Sequence, residues 1–453
     1  MSIDRRHMLL GSLIGAAVLA APAATEAATQ VANNGVDAAR FGVRPGATGD
    51  QSAKLQRAID QAARARMPLW LAPGKYRVGG LVLRSGSQII GVRGATHLIY
   101  THGPSLIAAE HAKTATLNGL LLDGGNRALP ARRGLVHLTD VRDLRLANCT
   151  IARAGGDGVT LLQCDGNVTG NTITGAADNG LFSNDGRSLV ITRNIIRGCG
   201  NGGIRVWQSE KRHDGSLIAD NIVSETKARD GGTGQNGNAI NVYRAADVIV
   251  RGNHIDHAAF SAIRGNGANN IQIVGNNCRD LGEVALYAEF DFEGAVIANN
   301  TVQRAEIGIV STNFNDGGRL AVVQGNLIRD MTATAPQGTA AGIGIAIEAD
   351  AAVTGNVVEN APGIGISIGT GKYLRDVTVT GNVVRNADIG IGVSVAAGAG
   401  AAVIAGNLIA GAQRGAILGM EWAKPVTGDL AQDGAKSEIT RYPQLQISGN
   451  KVS

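Results

Sequence analysis

From residue 149 onward, one asparagine keeps returning. It opens Asn171-Thr172-Ile173, Asn194-Ile195-Ile196, Asn221-Ile222-Val223 and Asn253-His254-Ile255, and recurs at Asn276, Asn300, Asn326, Asn356, Asn382, Asn407 and Asn450. The steps run from 23 to 32 residues, with a last step of 43, and Cys149 holds the equivalent place 22 residues before Asn171. A repeat with a fixed minimum and variable insertions defines a solenoid. Helical repeats are excluded, because Gly and Asn break every window before an amphipathic helix could form. Leucine-rich repeats would need Leu at fixed positions, whereas here Ile, Val and Ala alternate with Gly and polar residues. Each period instead holds short alternating segments such as Ile343-Gly344-Ile345-Ala346-Ile347 and Val377-Thr378-Val379-Thr380, which read as strands. Short strands stacked coil on coil make a parallel β-helix, an all-β solenoid. Gly and Asn enter the left-handed backbone region cheaply, so the Gly-Asn pair is expected at the sharp turn. A core of stacked aliphatics also accounts for aromatics at only 3 % of 453 residues.

A solenoid must cover its open ends. Leu55, Ala58, Ile59 and Ala62 fall on one helical face, so a capping helix is expected over 52–64, with Asp50 or Ser52 as its N-cap. Pro68-Leu69-Trp70-Leu71 then reads as a strand and Pro73-Gly74-Lys75-Tyr76 as a turn. This divides the chain into a signal at 1–27, a cap with first coils at 28–104, repeats at 105–420, and a C-terminal loop and last coil or cap at 421–453.

The first residues read Asp4-Arg5-Arg6-His7-Met8, followed by an apolar stretch to Ala24 and small residues around Ala21-Pro22-Ala23. That is an export signal, and the paired arginines point to the twin-arginine machinery as a partner. An ordinary secretory signal with two adjacent arginines is the alternative. Periplasmic or secreted location follows, and no other run approaches membrane-spanning length. The formal charge of +5 suits polyanionic partners or simply solubility. No basic–aromatic cluster points to nucleic acid. Cys149, Cys164, Cys199 and Cys278 have no zinc spacing, and they are expected to be buried free thiols.

The run Phe41-Gly42-Val43, Gly49-Asp50, Leu55-Gln56-Arg57-Ala58-Ile59-Asp60 and Leu71-Ala72-Pro73-Gly74-Lys75-Tyr76 resembles the opening of pectate-lyase-like right-handed β-helix proteins. That superfamily includes polysaccharide lyases, pectin hydrolases, epimerases and phage tailspikes. With the paired arginines, the whole chain resembles the twin-arginine-translocated repeat proteins, a family without an assigned function. The resemblance implies a single-stranded right-handed β-helix; it does not establish an activity. The catalytic signatures of the pectin hydrolases and the Asp-Pro-His-Asp motif of alginate epimerases are absent, and His254-Ile255-Asp256-His257 is a loose echo read as a turn.

Stacked coils turn equivalent positions into columns. The second strand of each coil aligns on a small-aliphatic pair, from Gly158-Val159 and Gly180-Leu181 through to Gly365-Ile366 and Gly392-Val393. The residue after the pair and the one two further on point outward. The first column reads Thr160, Phe182, Arg205, Asn241, Arg264, Tyr287, Val310, Ala346, Ser367, Ser394. The second reads Leu162, Asn184, Trp207, Tyr243, Asn266, Glu289, Thr312, Glu348, Gly369, Ala396. Turns beyond it add Asp185, Glu210, Arg244, Asp291 and Asn313. Rings interleaved with planar polar groups suit sugars: the rings stack on apolar sugar faces while amides and guanidinium groups take hydroxyls and carboxylates. The expected partner is therefore an extended polysaccharide, acidic ones included. A solvated face on a non-catalytic envelope, adhesion or assembly scaffold is the alternative. For chemistry, Glu289 with Glu348 or Asp291 are candidate carboxyls of a glycoside hydrolase, and Arg264 could neutralise a uronate in a lyase or epimerase. No cofactor is expected; acidic turns could ligate Ca²⁺, but no spacing marks such a site.

Overall fold

The computed structural model describes residues 35–232, 234–312, 317–333, 342–432 and 435–453. The paired arginines and the rest of the export segment, as well as Asn313, lie outside them. The chain forms a right-handed parallel β-helix of about 13 turns. Parallel pairing begins at once, with Val36–Asp37 beside Leu69–Trp70. A typical coil holds three strands, for example Thr172–Thr174, Asn179–Asn184 and Val190–Thr192. Each pairs with its counterpart one coil on, Ile195–Arg197, Gly202–His213 and Leu217–Ala219, and so builds a first, second and third sheet.

The core is a set of aliphatic ladders. One runs Ile173, Ile196, Val223, Ile255, Cys278, Val302 and Ile328 in register up the first sheet, every member at most 2 % exposed. All four cysteines are buried free thiols, and burial pushes Cys149 and Cys164 up to about 11. The small residue of the aligned pair has a steric cause. A Cβ on Gly180 would stand 2.5 Å from Ile196 Cγ2, and one on Gly344 would stand 2.4 Å from Val358 Cγ1. The second sheet passes too close to the first for a larger side chain there.

The returning asparagine does something the turn argument missed. The left-handed conformation falls on the residue before it, Gly170 (φ 66°), Arg193 (55°) or Asp220 (58°). The asparagine itself points inward and stacks. Asn171 Nδ2 donates to Leu146 O and to Asn194 Oδ1, which also accepts the Asn171 backbone N–H. The unit repeats through Asn221, Asn253, Asn276, Asn300, Asn326, Asn356, Asn382 and Asn407 to Asn450. Each buried amide is satisfied by the coils on either side, which burial demands.

At the N-terminus, helix α1 (Ser52–Arg64) buries Leu55, Ala58, Ile59 and Ala62. Its N-cap is Gln51 rather than Asp50 or Ser52. The Gln51 side chain bonds the Arg44 backbone, Asp50 accepts the Ser52 N–H, and Ser52 Oγ accepts the Gly79 N–H. The expected turn at 73–76 is instead the start of strand Gly74–Val78, which pairs with Thr96–Tyr100. At the other end, Gly415–Glu421 and Lys424–Asp429 form an antiparallel hairpin. A short helix α2 (Lys436–Ile439) follows, and Leu445–Ser448 and Lys451–Val452 resume the coil.

Candidate functional site

The second sheet carries the columns in the expected register from Thr160 to Ser367. Thr160 pairs with Phe182, Phe182 with Arg205, Arg205 with Asn241, Asn241 with Arg264 and Arg264 with Tyr287. The last coil is two residues out: Ser367 pairs with Gly392, not Ser394. Gly390-Ile391 and Gly392-Val393 fit the small-aliphatic rule equally well, and a shift of two preserves the face. The register also extends the first column back to His137, opposite Thr160.

The ring of Phe182 in the first column and those of Trp207 and Tyr243 in the second form one run. Phe182 and Trp207 meet edge to face with centroids 5.5 Å apart, and Trp207 and Tyr243 are also 5.5 Å apart. The Arg205 guanidinium lies 5.3 Å from the Trp207 ring centroid, and Arg244 lies 4.9 Å from that of Tyr243. Trp207 Nε1 donates to Asn241 Oδ1 at 2.6 Å, which fixes the indole. The 32-residue step between Asn221 and Asn253 supplies a wall: Asn236 Oδ1 accepts from Arg205, and Gly234 O accepts from Asn241. Two hollows flank Trp207. One of about 460 Å³ is lined by Arg132, Asp157, Leu162, Asp178, Asn179, Phe182, Asn184, Arg205, Trp207 and Ser209. The other, about 370 Å³, is lined by Trp207, Gly234, Gln235, Asn241, Tyr243 and Asn266.

The chemically nominated residues are placed differently. Arg264 and Glu289 form a buried bidentate pair, with Nε to Oε2 at 2.7 Å, and Asn266 Nδ2 adds a bond to Oε2 at 2.8 Å. Arg264 also lies 4.9 Å from the Tyr287 ring centroid. Burial alone would lower the Arg264 guanidinium, but the Glu289 hydrogen bond and charge hold it above its ordinary value. Burial pushes the Tyr287 hydroxyl up, with Glu289 adding to it. Glu348 is buried and lies two coils from Glu289. Asp291 is exposed and ion-paired with Lys211. Asp185 bonds Ser209 and pairs with Arg212. Among the described residues, no group of three or more His, Cys, Asp or Glu is arranged to hold a metal ion.

One polar column escaped the sequence alignment because it lies one residue before the small-aliphatic pair: Asp157, Asn179, Gly202, Asn238. The signal was legible as Asp157-Gly158, Asn179-Gly180 and Asn238-Ala239. Asp157 is 2 % exposed. Its Oδ1 accepts the Asn179 backbone N–H at 3.0 Å and Asn179 Nδ2 at 2.7 Å, and its Oδ2 accepts Thr160 Oγ1 at 2.8 Å. Burial, then the charge of Asp178, pushes the Asp157 carboxyl up to about 6. Burial, then the charge of Arg133, takes His137 down to about 4.

A solenoid with an aromatic, amide-rich cleft on one sheet defines a class by shape. Residues 133–226 and 212–384 match the family described as right handed beta helix region, and the chain belongs to that family. No curated protein matches the chain. Among solved structures it is similar to the catalytic unit of an α-1,3-glucanase from Streptomyces thermodiastaticus, at 16 % identity and TM-score 0.47, over 92 % of this chain and 68 % of that one. It is also similar to an N-terminal fragment of bacteriophage phi29 gene product 12, at 13 % identity and TM-score 0.51, over 95 % and 72 %. PfbA, a surface adhesin of Streptococcus pneumoniae, shares 13 % identity at TM-score 0.41, over 88 % and 96 %. At such identities the likeness is one of fold. Fold alone does not assign an activity, so the function must be argued from the site.

Proposed function

We propose that this is an exported protein whose β-helix binds or modifies an extended polysaccharide along the second sheet. One observation carries the reading: Phe182, Trp207 and Tyr243 stand on successive coils with their rings 5.5 Å apart. Coils step by ~4.8 Å, so the run offers aromatic surface at close to the coil spacing to a chain ligand. It is flanked by Asn184, Asn241, Asn266, Arg205 and Arg244, the groups that take hydroxyls and carboxylates.

Screening the purified protein against soluble polysaccharides, by tryptophan fluorescence and by product formation, tests this. Trp207→Ala and Tyr243→Ala are each expected to weaken binding by about tenfold through lost stacking, with the circular dichroism spectrum unchanged. Unaltered affinity in both variants would put the scaffold reading first. One feature favours that second reading: Glu289, nominated for proton transfer, is held in a buried pair with Arg264.

Export has its own test. With Arg5 and Arg6 both replaced by Lys, precursor is expected to remain in the cytoplasm. Undiminished mature protein in the periplasm would show that the ordinary secretion route suffices.

A further inference from the structure

The two hollows flanking Trp207 differ in kind. Arg132, Arg205, Asp157 and Asp178 line the one of about 460 Å³, whereas every residue lining the one of about 370 Å³ is uncharged. In this smaller hollow Asn241 ties the wall together: its Oδ1 accepts from Trp207 Nε1, and its Nδ2 donates to Gly234 O. Three other groups are unspent. The Tyr243 hydroxyl and the Gln235 side-chain amide form no hydrogen bond with any described residue. Asn266 donates through Nδ2 to Glu289 Oε2, so its Oδ1 is the free end of that amide. The partner fixes this orientation, because a carboxylate paired with an arginine accepts and does not donate, and Glu289 is held by Arg264. These groups are open to a ligand: Gln235 is exposed, and Trp207, Tyr243 and Asn266 are half-buried.

The free set is therefore one hydroxyl, one amide and one fixed acceptor, beside the rings of Trp207 and Tyr243. A ligand carboxylate calls for arginine or lysine, and neither lines this hollow. It would also meet Asn266 Oδ1 as acceptor against acceptor. A sugar hydroxyl both donates and accepts, so hydroxyls satisfy all three groups, while the apolar face of the sugar lies on an aromatic ring. We propose that this hollow is the subsite for an uncharged sugar unit, with one ring hydroxyl donating to Asn266 Oδ1 and others taken by Tyr243 and Gln235. This rests on the polysaccharide reading and narrows it: whatever the larger hollow holds, the unit seated beside Trp207 and Tyr243 carries no charge.

Cellohexaose, maltohexaose and laminarihexaose, set against hexagalacturonate and hexamannuronate in isothermal titrations, decide it. At least one neutral hexamer is expected to bind. Tyr243→Phe, which removes the hydroxyl and keeps the ring, is expected to weaken that binding by about three- to tenfold. Gln235→Ala, an exposed position outside the core, is expected to weaken it by about threefold, and it decides the matter if Tyr243→Phe does not fold. Binding of the uronate hexamers alone, weakened in Trp207→Ala, would overturn this proposal and leave the polysaccharide reading standing. Neutral-hexamer binding that falls in Trp207→Ala but stays native in both Tyr243→Phe and Gln235→Ala would place the sugar hydroxyls elsewhere, and would likewise overturn it. Binding of none of the five probes would remove both readings.

Discussion

Asn276→Ala is expected to destabilise the protein by about 3–5 kcal/mol, whereas Asn277→Ala, one residue on, shifts it by less than about 0.5 kcal/mol. Asn276 is 1 % exposed and Asn277 is exposed. Asn276 Oδ1 accepts both the backbone N–H and the Nδ2 of Asn253, and its own Nδ2 donates to Val250 O and Asn300 Oδ1. Alanine removes all of these partners. The Asn253 N–H is then left buried without a bond, at about 1–3 kcal/mol, and the Val250 carbonyl and the Asn300 amide oxygen each lose a donor inside the core. Denaturant unfolding followed by circular dichroism measures the difference. Equal shifts in the two variants would mean that the asparagine ladder adds nothing beyond the backbone pairing. Because a solenoid's coils are held mainly by their neighbours, the damage is expected to centre on the coils carrying Asn253 and Asn300, where amide exchange should accelerate first.

The second large effect is a pair of opposed pH slopes. Asp157 is raised from 3.8 to about 6. As pH rises through that window the unfolded carboxyl ionises while the folded one keeps its proton, so its contribution is present below the unfolded value and falls by about 3 kcal/mol on the way to pH 6. His137 is lowered from 6.5 to about 4. As pH falls through the same window the unfolded imidazole takes a proton that the folded one refuses, so stability drops by about 3 kcal/mol in the opposite direction. The native protein should therefore be nearly flat with respect to these two groups. Asp157→Asn should expose a stability that rises with pH between about 4 and 6.5, and His137→Gln one that falls between about 4 and 6. Unfolding midpoints at several pH values in that range read both slopes. Parallel profiles for the two variants would refute the assignment.

Much of this architecture is local in origin, which is why it was legible. The returning asparagine marks every coil, the alternating aliphatics mark the strands, and the Gly or Ala before the inward aliphatic marks where the second sheet crosses close over the first. Those signals aligned the columns from Thr160 to Ser367 without a neighbour in view. They slipped at Gly392 because two overlapping Gly–aliphatic pairs satisfy the same local rule. They misread the asparagine as a turn residue because a buried amide ladder and a left-handed turn favour the same residue type.

The sequence by itself thus determined the solenoid, its period and the face on which Phe182, Trp207 and Tyr243 stand, since a strand of known alternation leaves each side chain only two directions. Only the tertiary structure decided which outward residues are still in contact with solvent and whom they bind. Arg264 and Glu289 are 25 residues apart and become a closed pair only when their coils stack. Arg205 is enclosed by Asn236 on an insertion 31 residues away. Gly202 interrupts the polar column because the coils before and after it carry Asn179 and Asn238 at the same register. Each of these facts depends on what lies one coil above or below, at a distance that insertions of variable length set and that no local pattern encodes.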